Sequence, residues 1–320
     1  MKASAYEQTG APEVLKYVDL PDPICGPSQV RIEVKAISLE GGDVLNRGYG
    51  EKPNGPFVVG YAAAGVVTEV GANVSTVSVG QRVTTLGGSG SHAEQRVVSP
   101  STCWPLPDSV DFEQGACIPV TCGTAHEGIF EFGSLQSDET LLVQGGAGGV
   151  GLVAIQLAKE IGATVYATAS SDERLANLAA FGLDEGINYE KNDLVVEVMR
   201  LTDKQGVQVV LDPVGGRVLE QSIAAAGHRG RIVSVGTASR DFDKVNVAGL
   251  APGNKRLTGV FLGAEITTKR AQAVVKELVN KMAEGKLRVP IAKTFALAEA
   301  AKAHEFVESR QAIGRVILVP

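Results

Sequence analysis

The sequence predicts an α/β chain in which a doubly wound parallel sheet follows a mostly β domain. Three observations carry this. Up to about residue 118 the chain reads as short strands broken by turn residues. From residue 139 apolar strand-like runs alternate with amphipathic helical segments. Within the second part, Gly146-Ala147-Gly148-Gly149-Val150-Gly151 follows directly on its first strand and opens a helix. At 320 residues the chain exceeds one ordinary domain, so two are expected.

In the first part, strands are predicted at 29–39, 62–71, 80–88 and 92–100. In the second, they are predicted at 139–145, 163–169, 186–189, 207–214, 230–236 and 256–263, which complete a doubly wound dinucleotide fold. Helices at 267–285 and 297–310 and a strand at 314–320 follow, a tail expected to return to the first domain. The expected division is therefore 1–118 completed by 264–320, with 119–263 as the parallel-sheet domain.

Composition excludes several classes of partner. The net charge is −6 and no Lys/Arg run stands out, which argues against nucleic acid and against an anionic membrane surface. No segment has the length and apolarity of a signal peptide core or a membrane span, so a cytoplasmic location is expected. Cys25, Cys103, Cys117 and Cys122 have scattered spacings and no CxxC, so they read as reduced thiols.

The glycine run has the G-x-G-x-x-G spacing in its required strand–turn–helix context. Side chains at Gly146, Gly148 and Gly151 would block the turn, the approach of a pyrophosphate and the packing of helix on strand. The N–H groups of the helix start can then hold phosphate charge. The pattern predicts a Rossmann dinucleotide site; a glycine-rich turn with no ligand is the plain alternative. An NAD-type site ends its second strand with Asp or Glu, whereas here the strand ends Ala167-Thr168-Ala169-Ser170-Ser171, with Arg174 one turn on. The missing acid favours NADPH, with Arg174 meeting the 2′-phosphate. A plainer reading is compatible: Ser170-x-x-Glu173 as a capping box and Arg174 as a solvated charge.

With these pieces placed, the chain resembles the zinc-independent quinone oxidoreductase branch, zeta-crystallin-like, of the medium-chain dehydrogenase/reductase superfamily. The resemblance rests on MKA…GxPEVL, GQRV (80–83), SHAEQRVV (91–98), LPDSVDFEQGACIPVTCGTAH (106–126), QGGAGGVG (144–151), INYEKNDL (187–194), DPVGG (212–216), GRIVSVG (230–236) and ESRxxxGRVxL, in order and spacing. It implies a GroES-like β domain joined to the Rossmann domain, the active site in the cleft between them, and a homodimer formed through the strand at 256–263. It further implies that Ser170, Arg174, Tyr189 and Arg310 meet the 2′-phosphate, that Gly148, Gly149 and Val150 lie under the pyrophosphate, and that Val214, Gly236, Phe261, Leu262 and Gly263 approach the ribose and nicotinamide. For Tyr189, Arg310 and Gly236 a strand end, a helix-terminal charge and a simple turn are the plain alternatives.

Zinc-dependent relatives take a Cys three residues before an Asp and a Gly-His-Glu motif. Here Glu40 precedes Asp43 and the motif position reads Gly60-Tyr61-Ala62, so no metal is expected. His92, His126, His228 and His304 are far apart in the sequence. Without a Lewis acid, a quinone or enone is the expected acceptor, since hydride lands on an already electron-poor centre. The expectation is an NADPH:quinone oxidoreductase; the alternatives are an enone or 2-enoyl thioester reductase and a non-enzymatic NADPH-binding protein. Tyr49 is the candidate proton donor, or else a structural aromatic. Thr124 is a candidate carbonyl contact, or a helix-start residue. Glu40 is left as a base, a partner of Arg47 or a solvated charge.

Overall fold

The computed structural model describes all 320 residues, in two compact units: Met1–Gly123 with Gly263–Pro320, and Thr124–Leu262. The first unit is built on the strand Val30–Ser38, whose alternating pattern buries Val30, Ile32, Val34 and Ala36. It pairs antiparallel with Ala62–Val70 along its length and with Gln95–Val98 at its start. Ala62–Val70 in turn pairs with Arg82–Leu86, and that strand with Cys103–Pro105. The tail returns to this sheet: Arg315–Val319 pairs antiparallel with Val30–Ser38, placing Ile317 opposite Ser38, and Ile291–Ala296 adds outside it in parallel. The core packs Ile32, Ile37, Leu39 and Val83 against Leu297, Val316 and Leu318, so the tail is part of it.

The second unit is a six-stranded parallel sheet in the order 185–188, 164–169, 140–143, 207–212, 226–234, 256–259. In chain order this is 3-2-1-4-5-6, which reverses direction beside the first strand and opens a crevice at the carboxyl ends of the central strands. Leu142, Tyr166, Val210 and Ile232 fill one core with Leu194, Val198 and Ile223 from the crossover helices. No helix of the chain is long and apolar enough to cross a membrane.

Most boundaries shift by a few residues, and two of the shifts bear on the site. The strand expected at 256–263 ends at Gly259, because Leu262–Glu265 begins a helical turn that buries Leu262. The cap of the helix Asp172–Ala179 is Ser171, not Ser170: its extended backbone lets Oγ accept from the N–H of Arg174.

Candidate dinucleotide and charge-cluster sites

The fingerprint turn begins where the strand Thr140–Val143 ends, and its helix runs Gly149–Glu160 with Gly148 as N-cap. Three glycines are required for three different reasons. Gly145 has φ +60°, in the left-handed region. A Cβ on Gly146 would stand 2.7 Å from the Ala167 methyl, and one on Gly151 2.8 Å from the Gly145 carbonyl oxygen and Gly146 Cα. Gly148 differs: it is exposed, and a Cβ there would find its nearest neighbour at 3.4 Å. The space over Gly148 is thus open, and the N–H groups of Gly149, Val150 and Gly151 form the orphan first turn of a twelve-residue helix.

A buried polar chain that the sequence did not announce fixes this turn. The Gly145 N–H donates to Thr168 Oγ1 at 2.9 Å, and that hydroxyl donates to Gln144 Oε1 at 2.9 Å. Gln144 Nε2 donates to Ser222 Oγ at 3.0 Å, and Ser222 donates to Asp212 Oδ2 at 2.8 Å. Asp212 Oδ1 accepts from the N–H groups of Val214 and Gly215, both at 2.8 Å. Burial raises the Asp212 pKa, opposed by those backbone and Ser222 hydrogen bonds. The chain links the DPVGG turn to the fingerprint turn, and a Cβ on Gly145 would touch Val214 Cγ2. Gly236 belongs to the adjoining turn, where a Cβ would lie 3.0 Å from the Pro213 oxygen. The available signal was an Asp-Pro pair at the end of an apolar strand.

Ala169, the last residue of the second strand, is buried, and Asn188 lies opposite it on the neighbouring strand. Ser170, Arg174 and Tyr189 gather at this tip; Tyr189 donates its backbone N–H to the Ala169 oxygen and is half exposed. The nearest carboxylate, Asp172, accepts from Asn188 Nδ2 and Lys191 Nζ, both at 2.6 Å. Lys191 is a cation the sequence reading passed over. Phe261 is exposed after the sixth strand, and Thr124 is half-buried in the turn Gly123–His126. Tyr49, Gly263 and Arg310 lie in the first unit, Tyr49 exposed at the end of the helix Gly41–Tyr49 and Arg310 exposed with φ +57°.

In the first unit a set of buried charges surrounds the start of that helix. Glu40 is its N-cap; its carboxylate pairs with Arg315 at 2.8 Å and accepts from Ser38 Oγ at 2.7 Å and Thr121 Oγ1 at 3.3 Å. The guanidinium of Arg315 also reaches Ser38 Oγ and the Leu39 carbonyl. Glu40 is therefore neither a solvated charge nor a partner of Arg47, which bonds Glu308, the Gly10 carbonyl and, at 3.3 Å, His304 Nδ1. Burial raises the Glu40 pKa, and Arg315 opposes the rise. Asp43 Oδ2 accepts from the Glu40 N–H at 2.8 Å, and the Tyr61 backbone N–H and Arg315 also favour its charged form, but burial outweighs them and pushes its pKa up to about 8.

Two further contacts join residues remote in sequence. His92 and His304 stand Nε2 to Nε2 at 3.1 Å, and burial lowers the pKa of both, His92 to about 3. Since Arg47 donates to Nδ1 of His304, that ring carries its proton on Nε2 and donates it to His92. Tyr61 accepts at its hydroxyl from Asn46 Nδ2 at 2.6 Å, and its ring lies over Gly42, where a Cβ would come within 2.6 Å.

A GroES-like β unit together with a Rossmann unit carrying an intact fingerprint defines a medium-chain dehydrogenase/reductase. Residues 26–108 match the alcohol dehydrogenase GroES-like domain family, and residues 149–282 the zinc-binding dehydrogenase family. A quinone oxidoreductase of Pseudomonas aeruginosa is 36% identical over 315 residues, covering 97% of this chain and 97% of its own. A quinone oxidoreductase structure from Pseudomonas syringae superposes with TM-score 0.95 at 34% identity, over 100% of this chain and 99% of that one. An Escherichia coli quinone oxidoreductase complexed with NADPH superposes with TM-score 0.94 at 30% identity, over the whole of both chains. The chain belongs to the quinone oxidoreductase-like family of medium-chain dehydrogenases/reductases.

One family description names zinc, and the side chains at hand do not fit it. The Glu40 carboxylate is occupied by Arg315, Ser38 and Thr121. His92 and His304 bond each other beside the Arg47 cation, which would repel a metal. Burial pushes the Cys103 and Cys117 thiols up to about 12 and Cys122 well above the usual range, away from the thiolate that zinc requires.

Proposed function

We propose that this chain is an NADPH-dependent, zinc-independent oxidoreductase that reduces quinones. The observation that carries the reading is the pairing of an open fingerprint turn with a second strand that ends in Ala169 and runs into Ser170 and Ser171 with no carboxylate at its end, beside which Arg174 and Tyr189 follow; Lys191 there is paired with Asp172. In this reading Gly148, Gly149 and Val150 hold the pyrophosphate, the tip residues the 2′-phosphate, and Val214, Gly236, Phe261 and Leu262 the nicotinamide side. NADPH, when bound, supplies the hydride. The protein's share is to hold the acceptor, exclude water and leave the reduced oxygens to be protonated. A quinone suits a site without a metal because its reduction delocalises the incoming charge and leaves no hydroxyl proton to remove.

A second reading, reduction of an enone or enoyl thioester, is favoured by the Tyr61–Asn46 pair. Its hydroxyl is half-buried and accepts from Asn46 at 2.6 Å, which leaves its own proton to donate, although burial pushes its pKa up to about 12 and so weakens it as an acid. Tyr61 thus joins Tyr49, which is 64% exposed, as a candidate donor. The acceptor's carbonyl contact is assigned to Thr124, the assembly to a homodimer through the sixth strand, and the location to the cytoplasm.

The test is NADPH oxidation against quinones, enones, enoyl thioesters and aldehydes, with and without chelator. Fast quinone turnover that survives chelation and the change Tyr61→Phe is expected. Selective loss of enone reduction in Tyr61→Phe, with quinones poor throughout, would establish the second reading instead. Binding of NADPH with no turnover of any acceptor would leave a nucleotide-binding protein.

A further inference from the structure

The polar chain between the fingerprint turn and the DPVGG turn is built from residues that a core does not ordinarily take. Gln144, Thr168, Asp212 and Ser222 are each at most 2% exposed. Their neighbours in sequence, Val143, Ala167, Leu211 and Ile223, are buried apolar residues. Aliphatic side chains would fill the four positions without the desolvation that polar groups bring. Breaking that local rule at linked positions points to a task beyond folding.

The chain runs in one direction only. At one end the Gly145 N–H can only donate, and at the other the Asp212 carboxylate only accepts. The Thr168 hydroxyl, having accepted from Gly145, must point its own proton at Gln144 Oε1, which turns Gln144 Nε2 to Ser222 and the Ser222 proton to Asp212 Oδ2. Turning the Gln144 amide over would leave the Thr168 proton without an acceptor and set the amide oxygen and Asp212 Oδ2 in competition for the one Ser222 proton. Bonds aligned head to tail polarise one another, so the chain holds its ends together more firmly than separate contacts would. The groups that favour the Asp212 charge are Ser222 and the N–H groups of Val214 and Gly215, with no cation among them. The same turn accepts at Pro213 and Val214 from the N–H groups of Ala238 and Ser239, in the segment after Gly236.

We infer that Asp212 is a positioning residue that sets the pyrophosphate side and the nicotinamide side of the cofactor site in register, acting on the fingerprint turn through Ser222, Gln144 and Thr168 and on the Val214 turn through its own hydrogen bonds. The inference rests on the NADPH reading above, because NADPH is the ligand that would touch both turns at once. A pyrophosphate over the open space at Gly148 and a ribose against Val214 are joined by a short covalent stretch, so both contacts form together only when the turns stand at the right separation. With the chain intact that separation is set before the cofactor arrives, and less ordering is left to binding. With it cut, each turn keeps its own backbone bonds and the two are placed independently.

The test compares NADPH with 2′-phospho-ADP-ribose, the same molecule without its nicotinamide, in calorimetric titrations of the native chain, Thr168→Val and Thr168→Ser. Valine keeps the shape of threonine and cuts the chain at its fingerprint end, whereas serine restores the hydroxyl. NADPH should bind the native protein more tightly, and the ratio of the two dissociation constants measures the share of the nicotinamide side. Thr168→Val should reduce that ratio about tenfold, although residue 168 lies at the pyrophosphate end, and Thr168→Ser should return it to within about twofold of native. The fluorescence anisotropy of bound NADPH, which reports how firmly the nicotinamide is held, should fall and recover with the same pair. Asp212→Asn puts a donor where the chain needs an acceptor and should also lower the ratio; it carries the comparison if Thr168→Val does not fold. Thr168→Val/Asp212→Asn should lower the ratio no further than Asp212→Asn alone, because both changes cut one chain. Equal weakening of NADPH and 2′-phospho-ADP-ribose by Thr168→Val would overturn the proposal, since the chain would then serve the fingerprint turn alone. So would additive losses in the double variant, or a lowered melting temperature with both affinities unchanged, the mark of a purely structural role. A native protein that binds neither ligand would refute the dinucleotide reading itself, and the proposal with it.

Discussion

Asp43 offers a direct measure of what a buried charge does to this fold. Its side chain is fully buried, and the Glu40 and Tyr61 backbone N–H groups and the Arg315 charge offset only part of the cost of burying it. Burial raises its pKa from 3.8 to about 8, with the neighbouring Glu40 charge adding to the rise. Between those values the unfolded chain has lost a proton that the folded chain keeps, so stability falls as pH rises from about 4 to about 8 and is level above that. At about 1.4 kcal/mol per pH unit, the penalty accumulated between pH 5 and pH 8 is about 4 kcal/mol.

Asp43→Asn removes the titration and keeps an oxygen for the Glu40 N–H. Urea unfolding of both proteins at pH 5 and pH 8.5 gives four free energies, and the native-to-variant difference cancels the titration of groups common to both. The variant should gain about 4 kcal/mol on the native protein between the two pH values. A native-to-variant difference that stays the same at both pH values would show that Asp43 is ionised in the fold and that an unseen partner satisfies it.

His92 works in the opposite sense: its depressed pKa means stability present above about 6.5 and lost as pH falls toward about 3, so His92→Gln should flatten that acid limb by about 1.4 kcal/mol per pH unit. Gly151→Ala should lower the melting temperature, because its methyl meets backbone at 2.8 Å, at a cost of about 1–3 kcal/mol. Gly148→Ala should leave the melting temperature unchanged and weaken NADPH in a fluorescence titration, because only the open space above the turn is filled. Arg174→Ala should remove about one to two decades of NADPH-over-NADH preference at low salt, and equal weakening of both cofactors would move Arg174 from the 2′-phosphate to the fold. Thr168→Val should cost about 1–3 kcal/mol in urea unfolding, since it strands the Gly145 N–H and Gln144 Oε1 in the interior.

The legible parts of this sequence are those governed by local periodicity. Alternating apolar runs gave six parallel strands in the right order of appearance, because each strand and crossover helix declares its buried face within a dozen residues. The glycine turn was legible because three positions must lack a Cβ in fixed spacing. In the parallel-sheet unit errors fell at element ends, Ser171 over Ser170 and Gly259 as the end of a strand expected to continue, whereas in the first unit the strands Lys2–Tyr6, Lys16–Asp19, Cys103–Pro105 and Ile291–Ala296 went unread, being short and lacking a clear alternation. The charge contacts of the first unit were illegible. His92 meets His304 across 212 residues, and Glu40 meets an arginine on the last strand, so no local window contains both members. For Glu40, sequence proximity suggested Arg47, and tertiary pairing overrode it.

That override explains why the tail returns. A carboxylate at position 40 is buried at the head of a helix, and the residues near it in sequence provide only neutral donors, the Ser38 hydroxyl and the Asp43 N–H of the capping box. Left so, its desolvation would exceed what those neutral donors can offset. The strand Arg315–Val319 enters the sheet beside Val30–Ser38 with its register set by Ile317 opposite Ser38, and this brings Arg315 to Glu40, Ser38 and the Leu39 carbonyl together. Hydrophobic pairing of the strand thus delivers the countercharge, and the countercharge in turn fixes the register, since a one-residue slip would turn Arg315 to the other face of the sheet. The same strand follows the helix Ala300–Glu308, which contributes His304 and Glu308 to Arg47. Both buried cationic contacts at the helix Gly41–Tyr49 therefore depend on a segment that lies at the far end of the chain.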